Sequence, residues 1–148
     1  MLKVKLFIVS WFLTVSLNAQ AINRKQKAIQ QTVENMFATL STFDTLALKG
    51  FLTANVRFYE YGQIWNMDTI IQKAMLGKRV KDFNRTNSFV FVNTIIHQKT
   101  AWVTYYLQSI ITRDNKQETL HWMETVILVK DKRKWKIEVL HSTRLNSK

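Results

Sequence analysis

Hydrophobic residues in the first part of the chain recur with the period of an α-helix. Between residues 23 and 42 they share one face of a long amphipathic helix. Asp44 is suited to cap a short second helix running through Leu52. Asn66 or Asp68 can cap a third helix that stops at Gly77. The apolar face of the first helix consists of Ile29, Val33, Met36, Phe37 and Leu40.

From Thr86 onward the period falls to two, which is the alternation of a β-strand. The pattern predicts four long strands at 86–97, 100–112, 117–129 and 134–144, joined by short polar turns. An earlier strand at 56–61 is rich in β-branched and aromatic residues and ends at Gly62. Helices early in the chain and a strand meander late in it predict an α+β domain. Its curved antiparallel sheet would be covered on one face by the N-terminal helices.

The first 21 residues have the pattern of a secretory signal peptide. Lys3 and Lys5 precede an apolar run at 6–17, and Ala19 and Ala21 supply the small residues that a signal peptidase requires. The run is too short to span a bilayer comfortably, so cleavage is favoured over an uncleaved anchor. We therefore expect a single domain at 22–148 that is periplasmic or secreted and meets the membrane only during export.

Composition limits how the domain is stabilised and what it binds. The chain has no cysteine, no proline and three glycines, so burial alone must stabilise it and no linker is apparent. Removal of residues 1–21 would lower the formal charge from +12 to +10. Two basic clusters, at 130–136 and at 78–81 with Arg85, suit an anionic surface. They also suit plain solvation at a turn and a helix end. Nucleic acid is not an expected partner of an exported protein.

Three segments of this chain, in this order, resemble the nuclear transport factor 2-like superfamily, and within it the SnoaL-like proteins. They are 58–62 (FYEYG), 124–128 (ETVIL) and 135–144 (WKIEVLHSTR). The resemblance implies a cone-shaped, cystatin-like fold whose open end leads to a pocket. The superfamily includes isomerases, cyclases, dehydratases and binders without enzymatic activity, so the fold alone leaves activity open.

One branch of the superfamily, the ketosteroid isomerases, is similar in placing a general-base aspartate on the strand at 56–61. Aligned on Gly62, that position holds Tyr59 here. The tyrosine that this branch uses on its first helix has no counterpart within residues 23–43. Steroid-isomerase chemistry is therefore not expected.

The last two strands carry a candidate acid–base pair. Alternation turns Glu124 and His141 toward the core, and a four-residue loop would set Lys130 opposite Trp135. Glu124 would then lie opposite His141, with Cβ atoms about 5 Å apart. Such a pair could act as a general acid and base. The alternative is a structural pair, or a bulge that turns Glu124 outward.

Five aromatic side chains are candidates for a ligand-binding wall, and core filling is the alternative for most of them. The three histidines lie on different strands without metal-binding spacing, so we expect neither a metal site nor a cofactor. The sequence predicts a module that binds a small apolar or aromatic molecule. A cofactor-independent lyase or isomerase using Glu124 and His141 is the alternative, and an assembly domain that forms a homodimer is a third. The candidate wall residues are Tyr59, Tyr61, Trp65, Trp102 and Trp122.

Overall fold

A computed structural model describes residues 24–146, so the predicted signal peptide lies outside the described residues. These residues form three helices and one six-stranded sheet, with two helices before the first strand and the third helix between the second and third strands. The helices are α1 (Arg24–Thr42), α2 (Thr45–Phe51) and α3 (Met67–Gly77). The strands are β1 (Leu52–Glu60), β2 (Gln63–Trp65), β3 (Asn84–His97), β4 (Thr100–Arg113), β5 (Lys116–Asp131) and β6 (Lys134–Leu145). The α+β class, the three helices and the meander of four long strands are confirmed.

The sheet is mixed, which corrects the prediction of a purely antiparallel one. Its strand order is β2-β1-β6-β5-β4-β3, and β1 pairs with β6 in parallel while every other neighbouring pair is antiparallel. A parallel pair cannot be joined by a tight hairpin, and here the whole meander connects β1 to β6. The short strand β2 was not predicted. It follows a turn in which Tyr61 and Gly62 both have positive φ, at 49° and 72°, as hairpins of this twist require.

Helix α1 covers the concave face of the curved sheet through the apolar stripe that the sequence predicts. Ile29, Val33, Met36 and Phe37 are buried, and Leu40 packs at the edge of the core. The other two helices begin where a polar side chain caps them. The Asp44 carboxylate accepts from the Ala47 N–H at 2.9 Å, and the Asn66 side chain accepts from the Thr69 N–H at 2.9 Å. Across residues 24–146, no helix is long and apolar enough to cross a membrane.

Candidate ligand cavity

A cavity of about 270 Å³ lies between the concave face of the sheet and helices α1 and α3. Its wall is mostly apolar because the inward positions of each strand are apolar. Charged side chains reach it from four strands and from α3, and they are Glu60, Lys73, Arg85, Arg113 and Glu124. The main apolar wall residues are Phe37, Leu40, Phe43, Phe58, Trp65, Ile70, Ala74, Phe83, Ile111, Trp122 and Leu140.

The predicted contact between Glu124 and His141 is wrong. The hairpin begins in the predicted register, with Lys130 opposite Trp135 and Leu128 opposite Ile137. Ile127 then lies opposite Val139, so β6 contains one extra residue at this point. This β-bulge reverses the facing of every later residue on β6. Glu124 consequently lies opposite Ser142, and His141 is exposed on the outer face.

Glu124 itself faces the interior and is only 3% exposed. Its Oε2 accepts a hydrogen bond from the Tyr105 hydroxyl at 2.6 Å, and its Oε1 accepts one from the Ser142 hydroxyl at 3.1 Å. Burial raises the pKa of Glu124 to about 7, and the nearby Glu60 carboxyl also raises it. The two hydrogen bonds and Arg85 lower the pKa, but they only partly offset burial. A carboxyl with such a pKa can both accept and donate a proton near neutral pH.

A second carboxyl, that of Glu60 at the end of β1, lines the same cavity. Burial raises the pKa of Glu60, against the influence of Ser142, Arg85 and Lys73, which lower it. Since a hydroxyl carries a single proton, Ser142 can donate to only one of the two carboxylates at a time. The cavity therefore contains two carboxyls whose pKa values are raised by burial.

The structure separates the five aromatic candidates into two groups. Tyr61, Trp65 and Trp122 line the cavity. Trp65 lies at the end of β2 rather than in a loop, and its indole ring is 4.2 Å from the Lys73 amino group.

The other two aromatic candidates, Tyr59 and Trp102, do not line the cavity. Each is 38% exposed on the outer face of the sheet. The physical reason is the two-residue period, because Tyr59 lies between inward-facing residues of β1 and Trp102 lies between the buried Ala101 and Val103.

Three residues of the candidate site were missed or misassigned from the sequence. Arg85 was counted in a solvated basic cluster, yet it lines the cavity on β3. Glu60 was overlooked, and Tyr105 was not singled out although its hydroxyl holds Glu124. Alternation could have found all three. Arg85 lies two and four residues before the inward-facing Asn87 and Phe89, so it lies on the same face of β3. Glu60 lies two residues after Phe58 and shares its face of β1.

Within the part of the chain that the structure describes, no group of three histidine or acidic side chains is arranged to hold a metal ion. His97 and His141 are exposed, and His121 is half-buried on β5.

Comparison with solved structures places the fold in a known class. The chain is similar to a nuclear transport factor 2-like (NTF2-like) protein from Cytophaga hutchinsonii, at 15% identity over 83% of this chain and 99% of that one, with a TM-score of 0.67. It is similar to a ketosteroid isomerase-like protein from Erwinia carotovora atroseptica, at 11% identity over 84% and 99%, with a TM-score of 0.69. It is also similar to the CaMKII hub of S. rosetta, at 20% identity over 81% and 96%, with a TM-score of 0.67.

These likenesses show that the chain has an NTF2-like fold. Residues 29–144 match the model of the SnoaL-like domain, and the chain belongs to that family. No curated protein sequence is significantly similar to it.

Proposed function

We propose that the protein binds a small, largely apolar molecule in the cavity under α1 and α3. The observation that carries this proposal is the composition of the cavity wall. The wall is mainly aromatic and aliphatic, whereas a few polar groups converge at one place, around Glu124. Small-molecule sites combine these two features, because apolar area supplies affinity and a few polar groups fix orientation.

Titration of the purified protein with a neutral aromatic probe, 2-naphthol, tests this proposal. Trp65 and Trp122 line the cavity, so saturable quenching of tryptophan fluorescence should report occupancy. Ala74→Leu adds carbon atoms at the cavity wall and should weaken binding by about tenfold. Ala28→Leu, the same change at an exposed position of α1, should leave the affinity unchanged. Absence of saturation, or equal effects of the two substitutions, would contradict the proposal.

A second candidate function, a cofactor-independent lyase or isomerase, is favoured by one observation. The Glu124 carboxyl is almost fully buried at the cavity and has a pKa of about 7. His141 has no part in this version, since it faces away from the cavity. Glu124 would accept a proton from a carbon next to a carbonyl and return it to another atom of the bound molecule. Tyr105 would hold the carboxyl in place.

Hydrogen–deuterium exchange of a small ketone, 2-tetralone, tests this chemistry. In D2O the carbon–hydrogen bond next to the carbonyl would break, its proton would pass to Glu124, and the electron pair would remain on the ketone as an enolate. A deuteron from the exchanged carboxyl would then return to the carbon. NMR should show faster exchange with the wild type than with Glu124→Gln. Glu118→Gln, outside the cavity, is the matched control, and equal exchange by wild type and Glu124→Gln would exclude the role.

We propose that the protein forms a homodimer through the outer face of the sheet. Several large apolar side chains of β3, β4 and β5 are exposed on this face, and a monomer rarely exposes a large contiguous apolar surface without a partner. Sedimentation should then give twice the mass of the chain, and Tyr106→Glu at the centre of the face should return it to a monomer. A wild type that sediments as a monomer would contradict the dimer. The exposed residues include Val90, Val92, Ile95, Tyr106 and Met123.

Export to the periplasm or the medium is likewise a proposal, based on residues 1–21. N-terminal sequencing of the exported protein should give a first residue at or close to Ile22. Recovery of the intact chain from the cytoplasm would contradict it.

A further inference from the structure

Arg85 carries a charge in the cavity wall and is not paired with a carboxylate of any described residue. Its Nε donates to Asn87 Oδ1 at 3.0 Å, and its Nη2 donates to Ser109 Oγ at 3.1 Å. A guanidinium has five N–H donors, so the N–H groups of Nη1 and one of Nη2 have no hydrogen-bond partner among residues 24–146. Within the same range, Arg85 forms no ion pair, since all three ion pairs there involve other residues.

The surroundings hold this guanidinium in place and leave its charge in an apolar setting. The carbon at its centre lies 5.4 Å from the centroid of the Phe37 ring and 5.9 Å from that of the Trp122 ring. Burial lowers the pKa of Arg85, which means that the charged form is poorly solvated there. An anion brought to the free N–H groups would restore the lost stabilisation, and charge-assisted hydrogen bonds of this kind are among the strongest in proteins.

The other charged groups at the cavity do not supply that anion. Within residues 24–146, neither Glu60 nor Glu124 forms an ion pair with Arg85. Burial raises the pKa of both carboxyls, that of Glu124 to about 7. Arg113 forms an ion pair with Glu118 at 3.2 Å, whereas Lys73 lies over the ring of Trp65. At pH 6, where Glu124 is mostly neutral, the positive charges of Lys73, Arg85 and Arg113 therefore outnumber the negative charges on the cavity wall.

We propose that the small molecule bound in the cavity carries a carboxylate, which accepts hydrogen bonds from the free edge of the Arg85 guanidinium while its apolar body occupies the aromatic part of the cavity. This inference rests on the proposed function and narrows it to aromatic or alicyclic carboxylic acids. A carboxylate is preferred because the two terminal nitrogens of an arginine match its two oxygens in geometry.

The experiment compares two probes of nearly equal shape, 2-naphthoate and the neutral 2-naphthamide, by calorimetry with the full-length protein at pH 6. We expect wild type to bind the carboxylate about 10- to 100-fold more tightly than the amide. Arg85→Gln should remove this preference and leave the affinity for the amide nearly unchanged, whereas Arg85→Lys should retain part of it. Arg79→Gln, at an exposed position after α3, is the matched control and should behave as wild type.

A pH series on wild type needs no variant and tests the same proposal if Arg85→Gln fails to fold. The groups that face Glu124 are Glu60 from β1, Arg85 from β3, Tyr105 from β4 and Ser142 from β6. Deprotonation of Glu124 adds a negative charge to the cavity, so the affinity for 2-naphthoate should fall as the pH rises from 6 to 8. The affinity for 2-naphthamide should change much less.

The outcomes separate this inference from the proposed function. If wild type binds both probes equally, or Arg85→Gln retains the preference for the carboxylate, the carboxylate proposal is overturned and the cavity remains a binding site. If wild type binds neither probe, both proposals are overturned.

Discussion

The buried carboxyl of Glu124 lowers the stability of the fold at pH values where it would be ionised in the unfolded chain. Burial penalises its ionised form more than the hydrogen bonds from Tyr105 and Ser142 favour that form. The folded protein therefore holds a proton on Glu124 at pH values where the unfolded chain has released it. This difference links the stability of the fold to pH.

We predict that the free energy of unfolding decreases as the pH rises from about 4.5 to about 7. The pKa of Glu124 is raised from 4.5 to about 7 in the folded state. In this window the folded state binds more protons than the unfolded state, so stability falls with rising pH. The shift corresponds to about 3 kcal/mol, and Glu60, whose pKa is also raised, acts in the same direction.

Glu124→Gln mimics the neutral carboxyl and should be more stable than wild type at pH 8 by up to about 3 kcal/mol. At pH 4.5 the two should be nearly equal. Urea unfolding at both pH values measures the difference. Glu118→Gln alters two exposed ion pairs, with Arg113 and Arg144, and should change stability by no more than about 1 kcal/mol at either pH. A Glu124→Gln variant that is less stable than wild type at pH 8 would contradict the assigned environment.

The two-residue alternation correctly predicted which face of the sheet a residue lies on, up to the first β-bulge of its strand. Glu124 was placed correctly because β5 alternates regularly around it. His141 was placed wrongly because β6 gains a residue after Ile137, and no local pattern in the sequence marks that bulge. Arg85 was misassigned because the predicted strand began at Thr86, whereas β3 begins at Asn84.

Among the helices, α1 contributes most to the core, whereas α3 supplies more of the cavity wall. The apolar stripe of α1 and the caps of α2 and α3 are local features, which is why the sequence predicted the three helices well. The parallel pairing of β1 with β6 brings together residues far apart in the chain. Such pairing depends on the whole fold and leaves no local signature.

Phe37 is the residue of α1 whose loss should weaken the fold most clearly. It is buried, and its ring contacts those of Phe89 and Tyr105 at centroid distances of 5.5 and 6.5 Å. Phe37→Ala should lower the free energy of unfolding by about 3–5 kcal/mol, as measured by urea denaturation. Leu46→Ala removes an apolar side chain that is 82% exposed and should cost no more than about 0.5 kcal/mol. A loss below about 1 kcal/mol for Phe37→Ala would contradict the packing of α1 on the sheet.

At the scale of the whole molecule, the two faces of the sheet have different environments. The concave face is covered by α1 and α3 and encloses the cavity, where buried carboxyls and Arg85 lie among aromatic rings. The convex face exposes apolar residues of β3, β4 and β5 to the surroundings. We therefore propose ligand binding at the concave face and self-association at the convex face.

The indole N–H resonances of the tryptophans test the binding claim most directly, because the side chains themselves report which face is occupied. Trp65 and Trp122 line the cavity, whereas Trp102 lies on the convex face and Trp135 packs at the edge of the core. On titration with 2-naphthol, two-dimensional ¹H–¹⁵N spectra should show saturable shifts for Trp65 and Trp122 and none for Trp102 or Trp135. Unchanged Trp65 and Trp122 resonances, or shifts confined to Trp102, would contradict a ligand site in the cavity.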